Sequence, residues 1–249
     1  MKRILVTRPR AQADEFAGKL RAAGFEPVFF PVIEIKPVED NLALERALSR
    51  LSCYEWIVFT SVNAVEVVFG NYSRLIFADG VGTKFAAIGP KTAGSLNAHG
   101  IDPHFVPEEY VAEAILPGLG DLIGKWVLLP RAEIARKALS EAIFHAGGVP
   151  HEITVYKTLP SQPDPNGLEA LRAGVDVITL TSPSTVENFV AIAEKNKLDP
   201  RNLPNNPQFA CIGPITEKTA RDAGLPNLMV AREYTTDGLL AVLNQMESS

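Results

Sequence analysis

The chain repeats itself. "AIGPKTAGSLNAHG" (Ala87–Gly100) returns as "CIGPITEKTARDAG" (Cys211–Gly224): an apolar run, an Ile-Gly-Pro turn, a helix-like pattern and a closing glycine. Three more blocks match in the same order. "ILVTRPRAQADEFAGKLRAAGFEP" (Ile4–Pro27) resembles "WVLLPRAEIARKALSEAIFHAGGVP" (Trp126–Pro150), with Arg8 over Arg131, Gly24 over Gly147 and Pro27 over Pro150. "WIVFTSVNAVEVVF" (Trp56–Phe69) resembles "VITLTSPSTVENFV" (Val177–Val190), with Ser61 over Ser182 and Glu66 over Glu187. "EEYVAEAILPGL" (Glu108–Leu119) resembles "REYTTDGLLAVL" (Arg232–Leu243), with Tyr110 over Tyr234. The join lies near Gly120–Lys125. A period this long marks a duplicated unit of domain size, not a solenoid.

Within each copy, short apolar runs alternate with amphipathic patterns. Ile4–Val6, Trp56–Phe59, Phe85–Ile88 and Trp126–Leu129 read as strands buried on both faces, as in a parallel sheet. Phe16, Leu20 and Ala23 recur at helical spacing, and Gly24 follows at the helix end. The class is α/β with parallel sheets. "PVIEIKP" (Pro31–Pro37) and "HEITVYKTLP" (His151–Pro160) interrupt the rhythm at matching places, alternating polar and apolar residues and ending at proline. They read as connectors between sheets, so the domains need not coincide with the sequence halves.

In parallel α/β sheets, ligands bind beyond the carboxyl ends of the strands. The residues there are Thr7-Arg8-Pro9-Arg10, Thr60-Ser61-Val62-Asn63, Gly89-Pro90-Lys91-Thr92, Pro130-Arg131, Thr181-Ser182-Pro183-Ser184 and Gly213-Pro214-Ile215-Thr216. Glycine admits a ligand close to the backbone, and proline costs nothing at a first helical turn. The remaining free N–H groups carry the positive end of the helix dipole. Serines here cap helices or donate to a carboxylate. Each loop alone is an ordinary helix cap. Six of them, paired by the repeat and facing one cleft, would hold a ligand rich in carboxylates or phosphates. Arg8, Arg10 and Arg131 are placed to pair with its anions. Tyr156, on the second connector, offers a neutral phenol that can donate a proton or pack its ring in a strand.

Other chemistry has little support. No G-x-G-x-x-G, P-loop or G-x-S-x-G motif is present. His99, His104, His145 and His151 lack metal spacing, and Cys53 and Cys211 make neither a zinc site nor a disulfide framework. His99 and His145 fall near helix C-termini, where the dipole accounts for them. Tyr110 and Tyr234 precede helices and read as structural. With 24 Lys and Arg against 29 Asp and Glu, the net charge of −5 opposes bulk nucleic-acid binding. No apolar run is long enough to span a membrane, and the arginines of "MKRILVTRPR" come too early for a signal peptide. The expectation is a cytoplasmic protein.

The paired Ile-Gly-Pro turns, "FTSVNAV", "LTSPSTVENF", "VLLPRAEIAR" and "ITVYKT" together resemble the uroporphyrinogen-III synthases over essentially the full length. The resemblance implies two flavodoxin-like parallel-sheet domains joined by a two-stranded β connector. The first domain is discontinuous, 1–32 with 160–249; the second is 38–151; the connector strands are 33–37 and 152–159. It implies an enzyme that takes hydroxymethylbilane, a linear tetrapyrrole with eight carboxylates. The terminal hydroxyl leaves as water, and the last ring closes inverted through a spiro intermediate, giving uroporphyrinogen III. No cofactor and no metal are implied.

Tyr156 matches the position proposed to help the hydroxyl leave. Thr7, Arg8, Arg10, Ser61, Asn63, Gly89, Lys91, Thr92, Arg131, Thr181, Ser182, Ser184, Gly213 and Thr216 would bind substrate. The family pattern is Thr-Ala in both turns; Thr92-Ala93 keeps it, whereas Thr216 is followed by Glu217. A monomer receiving its substrate from hydroxymethylbilane synthase is expected. The competing classes are a non-catalytic two-domain binding protein for a polyanionic metabolite and a nucleotide-dependent enzyme on a flavodoxin-like scaffold.

Overall fold

The computed structural model describes residues 1–79, 82–109 and 112–246. Tyr110 lies outside them. The first repeat opens with β1 (Arg3–Val6), α1 (Arg10–Ala22), β2 (Glu26–Phe29) and β3 (Ile33–Pro37). It continues through α2 (Leu42–Leu48), a 3₁₀ turn (Leu51–Cys53), β4 (Trp56–Phe59), α3 (Val62–Asp79), β5 (Lys84–Ala87), α4 (Pro90–Ala98) and α5 (Ala112–Leu119). The second repeat opens with β6 (Trp126–Ala132), α6 (Ala138–His145) and β7 (Val149–Pro160). It continues with α7 (Pro165–Ala173), β8 (Val177–Leu180), α8 (Pro183–Lys195), β9 (Gln208–Cys211), α9 (Pro214–Asp222), β10 (Leu228–Val230) and α10 (Thr236–Gln245).

Contacts divide the chain into two units: Met1–Glu34 with Leu159–Ser249, and Ile35–Thr158. Each unit holds parts of both repeats. The first unit's sheet runs β10-β9-β8-β1-β2, with every pair parallel. Counted in chain order within the unit, that is 2-1-3-4-5, the flavodoxin-like winding. The second sheet runs β3-β7-β6-β4-β5, with β7, β6, β4 and β5 parallel. Its β7-β6-β4-β5 repeats β2-β1-β8-β9 in the matched strands, and Phe105 bridges to Ala86 where the first sheet has β10. Residues 33–37 and 152–159 lie in β3 and β7, neighbours at the edge of this second sheet.

The alternation of side chains across each strand builds two cores per sheet. Leu5, Ile178, Leu180, Phe209 and Cys211 pack with Leu171 of α7, Phe189 of α8 and Ala220 of α9. Ile4, Val6, Val177 and Ala210 pack on the opposite side with Phe16 and Leu20 of α1 and Leu239 and Leu243 of α10. In the second unit, Ile57, Phe59, Phe85 and Leu128 pack with α2, α3 and Leu96 of α4, while Trp56, Val58, Val127 and Leu129 pack with Ile115 of α5 and Ile143 of α6. Burial on both faces is why these strands read as unbroken apolar runs. Gly24 and Gly147, matched by the repeat, follow α1 and α6 at φ +85° and +81°, a conformation that favours glycine.

Candidate functional site

At the carboxyl edge of the first sheet, Thr7 follows β1. It is fully buried, and its hydroxyl donates to the Thr179 carbonyl while the Thr179 hydroxyl donates to the Leu5 carbonyl at 3.0 Å. The two threonines staple the end of β1 to β8, and Thr7, the first residue past β1, has its hydroxyl engaged there. Arg8 is half-buried. Its Nη2 donates to Gln12 Oε1 at 2.9 Å, and its buried Nε has no partner among the described residues. Burial lowers the guanidinium pKa from its ordinary value. Arg10 is exposed and lies over the Phe29 ring, 3.8 Å from its centroid.

Beyond β8, Ser182 caps α8. Its Oγ accepts the Thr185 N–H at 3.2 Å, and Thr185 Oγ1 accepts the N–H groups of Thr181 and Ser182, each at 3.0 Å. Ser184 Oγ lies 2.9 Å from Ser182 Oγ. Beyond β9, Gly213 caps α9 without a side chain, Pro214 opens the helix, and Thr216 sits buried at its third position. Gly213 has extended backbone, so its φ of −173° does not demand glycine. A Cβ there would lie 3.2 Å from Cδ1 of Tyr234, a tight contact that the side chain would have to yield to. The Tyr234 ring is 67% exposed over this turn. Its sequence position before a helix pointed only to a structural role; the turn that follows β10 folds it back onto Gly213.

In the second unit, Ser61 precedes α3 and its Oγ accepts the Ala64 N–H at 3.1 Å. The same oxygen lies 3.1 Å from the Tyr156 hydroxyl. The Tyr156 residue is 7% exposed and belongs to the apolar core of the unit. Serine offers one proton and two lone pairs. With one lone pair taken by Ala64, the Ser61 proton can go to the phenol oxygen, which leaves the phenol proton for a ligand. Asn63 is the second residue of α3 and partly buried. Gly89 caps α4 with nearly the same backbone as Gly213, φ −172° against −173°, so the two Ile-Gly-Pro turns are one device. Lys91 is exposed, and Thr92 is buried at the third position of α4, as Thr216 is in α9.

Arg131 lies in a different local structure from the one expected. Pro130 and Arg131 do not form a loop into a helix: β6 runs on to Ala132 and α6 starts only at Ala138. The long β7 supplies a ladder that reaches Ala132 opposite Tyr156, past a register shift after Arg131. There Arg131 donates Nη1 to Glu152 and Nη2 to the Arg136 carbonyl, so its charge is already matched. Glu66 also has a local task. It accepts from Ser95 Oγ at 2.6 Å and meets His99 Nε2 at 3.2 Å, tying α3 to α4.

At the amino ends of β4, β6 and β7, Tyr54 OH meets His151 Nδ1 at 2.6 Å, with Trp126 edge-on to both rings. With Arg46 and Arg50 they line an open hollow of about 430 Å³. It sits at the strand ends opposite Ser61 and Tyr156. Among the described residues, no three His, Cys, Asp or Glu side chains gather as a metal site, and no helix is long and apolar enough to cross a membrane.

The chain and its two-unit fold have known counterparts. The profile of the family described as "Uroporphyrinogen-III synthase HemD" matches residues 14–241. The chain belongs to the uroporphyrinogen-III synthase family. A uroporphyrinogen-III synthase from Synechococcus elongatus is 33% identical over 98% of this chain and 95% of its own. The crystal structure of uroporphyrinogen-III synthetase from Helicobacter pylori 26695 shares the fold, with a TM-score of 0.68 at 19% identity over 99% of this chain and all of that one. A Thermus thermophilus uroporphyrinogen III synthase follows at 0.60 and 20% identity. Uroporphyrinogen-III synthases are enzymes of tetrapyrrole biosynthesis, so the non-catalytic binding protein is not favoured.

Proposed function

We propose that this chain cyclises hydroxymethylbilane to uroporphyrinogen III, as a lyase that removes water and closes the last pyrrole ring inverted. The observation that carries the reading, beside family membership, is the Ser61–Tyr156 pair at the carboxyl edge of the second sheet. Departure of the terminal hydroxyl needs a proton on that oxygen. Tyr156 supplies or shares it, and Ser61, held by the first turn of α3, donates to the phenol oxygen as negative charge develops there.

The rest of the task is orientation, since the substrate cyclises unaided to the uninverted isomer. The starts of α8 and α9 in one unit, and of α3 and α4 in the other, offer N–H groups and hydroxyls to its acetate and propionate chains. Ser182, Ser184, Thr216, Asn63, Lys91 and Thr92 are the side chains in those turns, the glycines Gly89 and Gly213 contribute backbone, and Thr181, whose N–H is held by Thr185, offers its hydroxyl. Arg10 offers an exposed cation at the start of α1.

The test supplies hydroxymethylbilane and resolves the type I and type III isomers. Type III as the main product is expected. Type I alone, at the uncatalysed rate, would sink the reading.

A further inference from the structure

Arg8 and Arg131 occupy the same place in two copies of one strand-helix-strand unit. Arg8 lies two residues past Val6, which pairs with Phe29 across β1 and β2. Arg131 lies two residues past Leu129, which pairs with Glu152 across β6 and β7. Phe29 and Glu152 are therefore matched positions, and they decide the state of each arginine. Glu152 neutralises Arg131 directly. Phe29 offers only a ring, which Arg10 covers.

Arg8 is left with the neutral Gln12 amide and an orphaned, buried Nε–H. Among the described residues no carboxylate lies within ion-pair distance of it. The field of Glu15 reaches Arg8, but that carboxylate is engaged by Lys19 at 3.1 Å. An unpaired cation withdrawn from water is costly, and an anion placed against it recovers more than it would at a solvated arginine.

We propose that Arg8 is the arginine that receives a substrate carboxylate, and that Phe29 keeps it available by standing where the matched strand carries a neutralising glutamate. The inference rests on the cyclisation reading for the identity of the ligand; the anion site itself does not depend on that reading.

The experiment has two arms. In the first, KM and kcat for hydroxymethylbilane are measured for Arg8→Ala, Arg8→Lys, Phe29→Glu and Arg131→Met, with folding checked by thermal unfolding. Arg8→Ala and Phe29→Glu should each raise KM about tenfold or more with a smaller change in kcat, the worth of one charge-assisted hydrogen bond. Arg8→Lys should recover part of the loss. Arg131→Met should move KM less than about twofold and change the melting temperature only slightly, because Glu152 is exposed and stays solvated. Phe29→Glu keeps the arginine and tests the idea even if Arg8→Ala does not fold.

In the second arm, the Arg8 Nε–H resonance of the full chain is followed by NMR during titration with propane-1,2,3-tricarboxylate, and should shift saturably. An unmoved resonance overturns the inference whatever the kinetics. Unchanged KM in folded Phe29→Glu overturns it whatever the resonance. If the wild type makes no type III isomer yet the Arg8 resonance moves, the cyclisation reading falls and the anion site stands.

Discussion

Two turns in this molecule begin with the same Thr-Ser pair and end in different company. Ser61 and Ser182 each accept the N–H three residues on, from Ala64 and Thr185. Thr185 has a hydroxyl that closes a reciprocal capping box, and the remaining neighbour of Ser182 is Ser184, within its own turn. Ala64, at the matched place, has no hydroxyl. The two serine oxygens are nonetheless alike, each accepting one N–H; Ser61 Oγ, with Asn63 where the other turn has Ser184, meets Tyr156 from a strand 95 residues away in sequence. Duplication copied the cap. The second contact of the serine oxygen, to Ser184 within the turn or to Tyr156 from another strand, decides whether the serine is absorbed by its own turn or serves a distant side chain.

The largest expected effect of breaking this difference is at Tyr156. Tyr156→Phe keeps the ring in the core and removes only the hydroxyl. We expect kcat to fall about a hundredfold, at the low end for a lost proton donor, with KM little changed. An unaltered single-turnover rate would remove Tyr156 from proton transfer. Ser61→Ala comes next. It removes both the helix cap and the phenol's partner, so stability should drop by about 1 kcal/mol and kcat by about tenfold. A rate loss without a stability loss would mean that Ser61 is not acting as a cap. Thr185→Ala removes the hydroxyl that receives the Thr181 and Ser182 N–H groups and leaves the Ser182–Ser184 contact in place. Its effect should be confined to stability, about 1 kcal/mol by thermal or urea unfolding. No measurable loss would show that the second half of the box is idle.

The fold was legible because burial on both faces of a strand leaves a local mark. Trp56–Phe59 is a four-residue apolar run and Val177–Leu180 is apolar but for Thr179, and both are fully buried strands. The serine caps were legible for the same reason, since a cap needs only residues three apart. What escaped depends on distant partners. Thr7 looks like its polar neighbours until β8, 172 residues away, accepts its hydroxyl. Arg131 looks like Arg8 until the register of β6 on β7 brings Glu152 beside it. That register was available in principle, because Phe29 and Glu152 are matched in the repeat. Pairing of β1 with β2 and of β6 with β7 had to be known before the match meant anything.

The smallest effect is expected at the second Ile-Gly-Pro turn. Gly213→Ala asks nothing unusual of the backbone, whose φ of −173° and ψ of 175° suit any residue. The new methyl would sit 3.2 Å from a Tyr234 carbon, tighter than ordinary contact, but that ring is 67% exposed and can swing outward. The stability change should stay below about 1 kcal/mol. If the turn receives a carboxylate through its backbone N–H groups, the methyl and the displaced ring should raise KM about threefold with kcat unchanged, a loss of uniform binding. A Tyr234→Ala variant separates the two causes. It removes the ring from the glycine, so Gly213→Ala added to it should cost less than Gly213→Ala alone if the ring transmits the effect, and the same if the methyl itself blocks the ligand. Equal KM in all three variants would leave the first-unit turn as a helix cap and nothing more, in contrast to the Ser61 turn of the second.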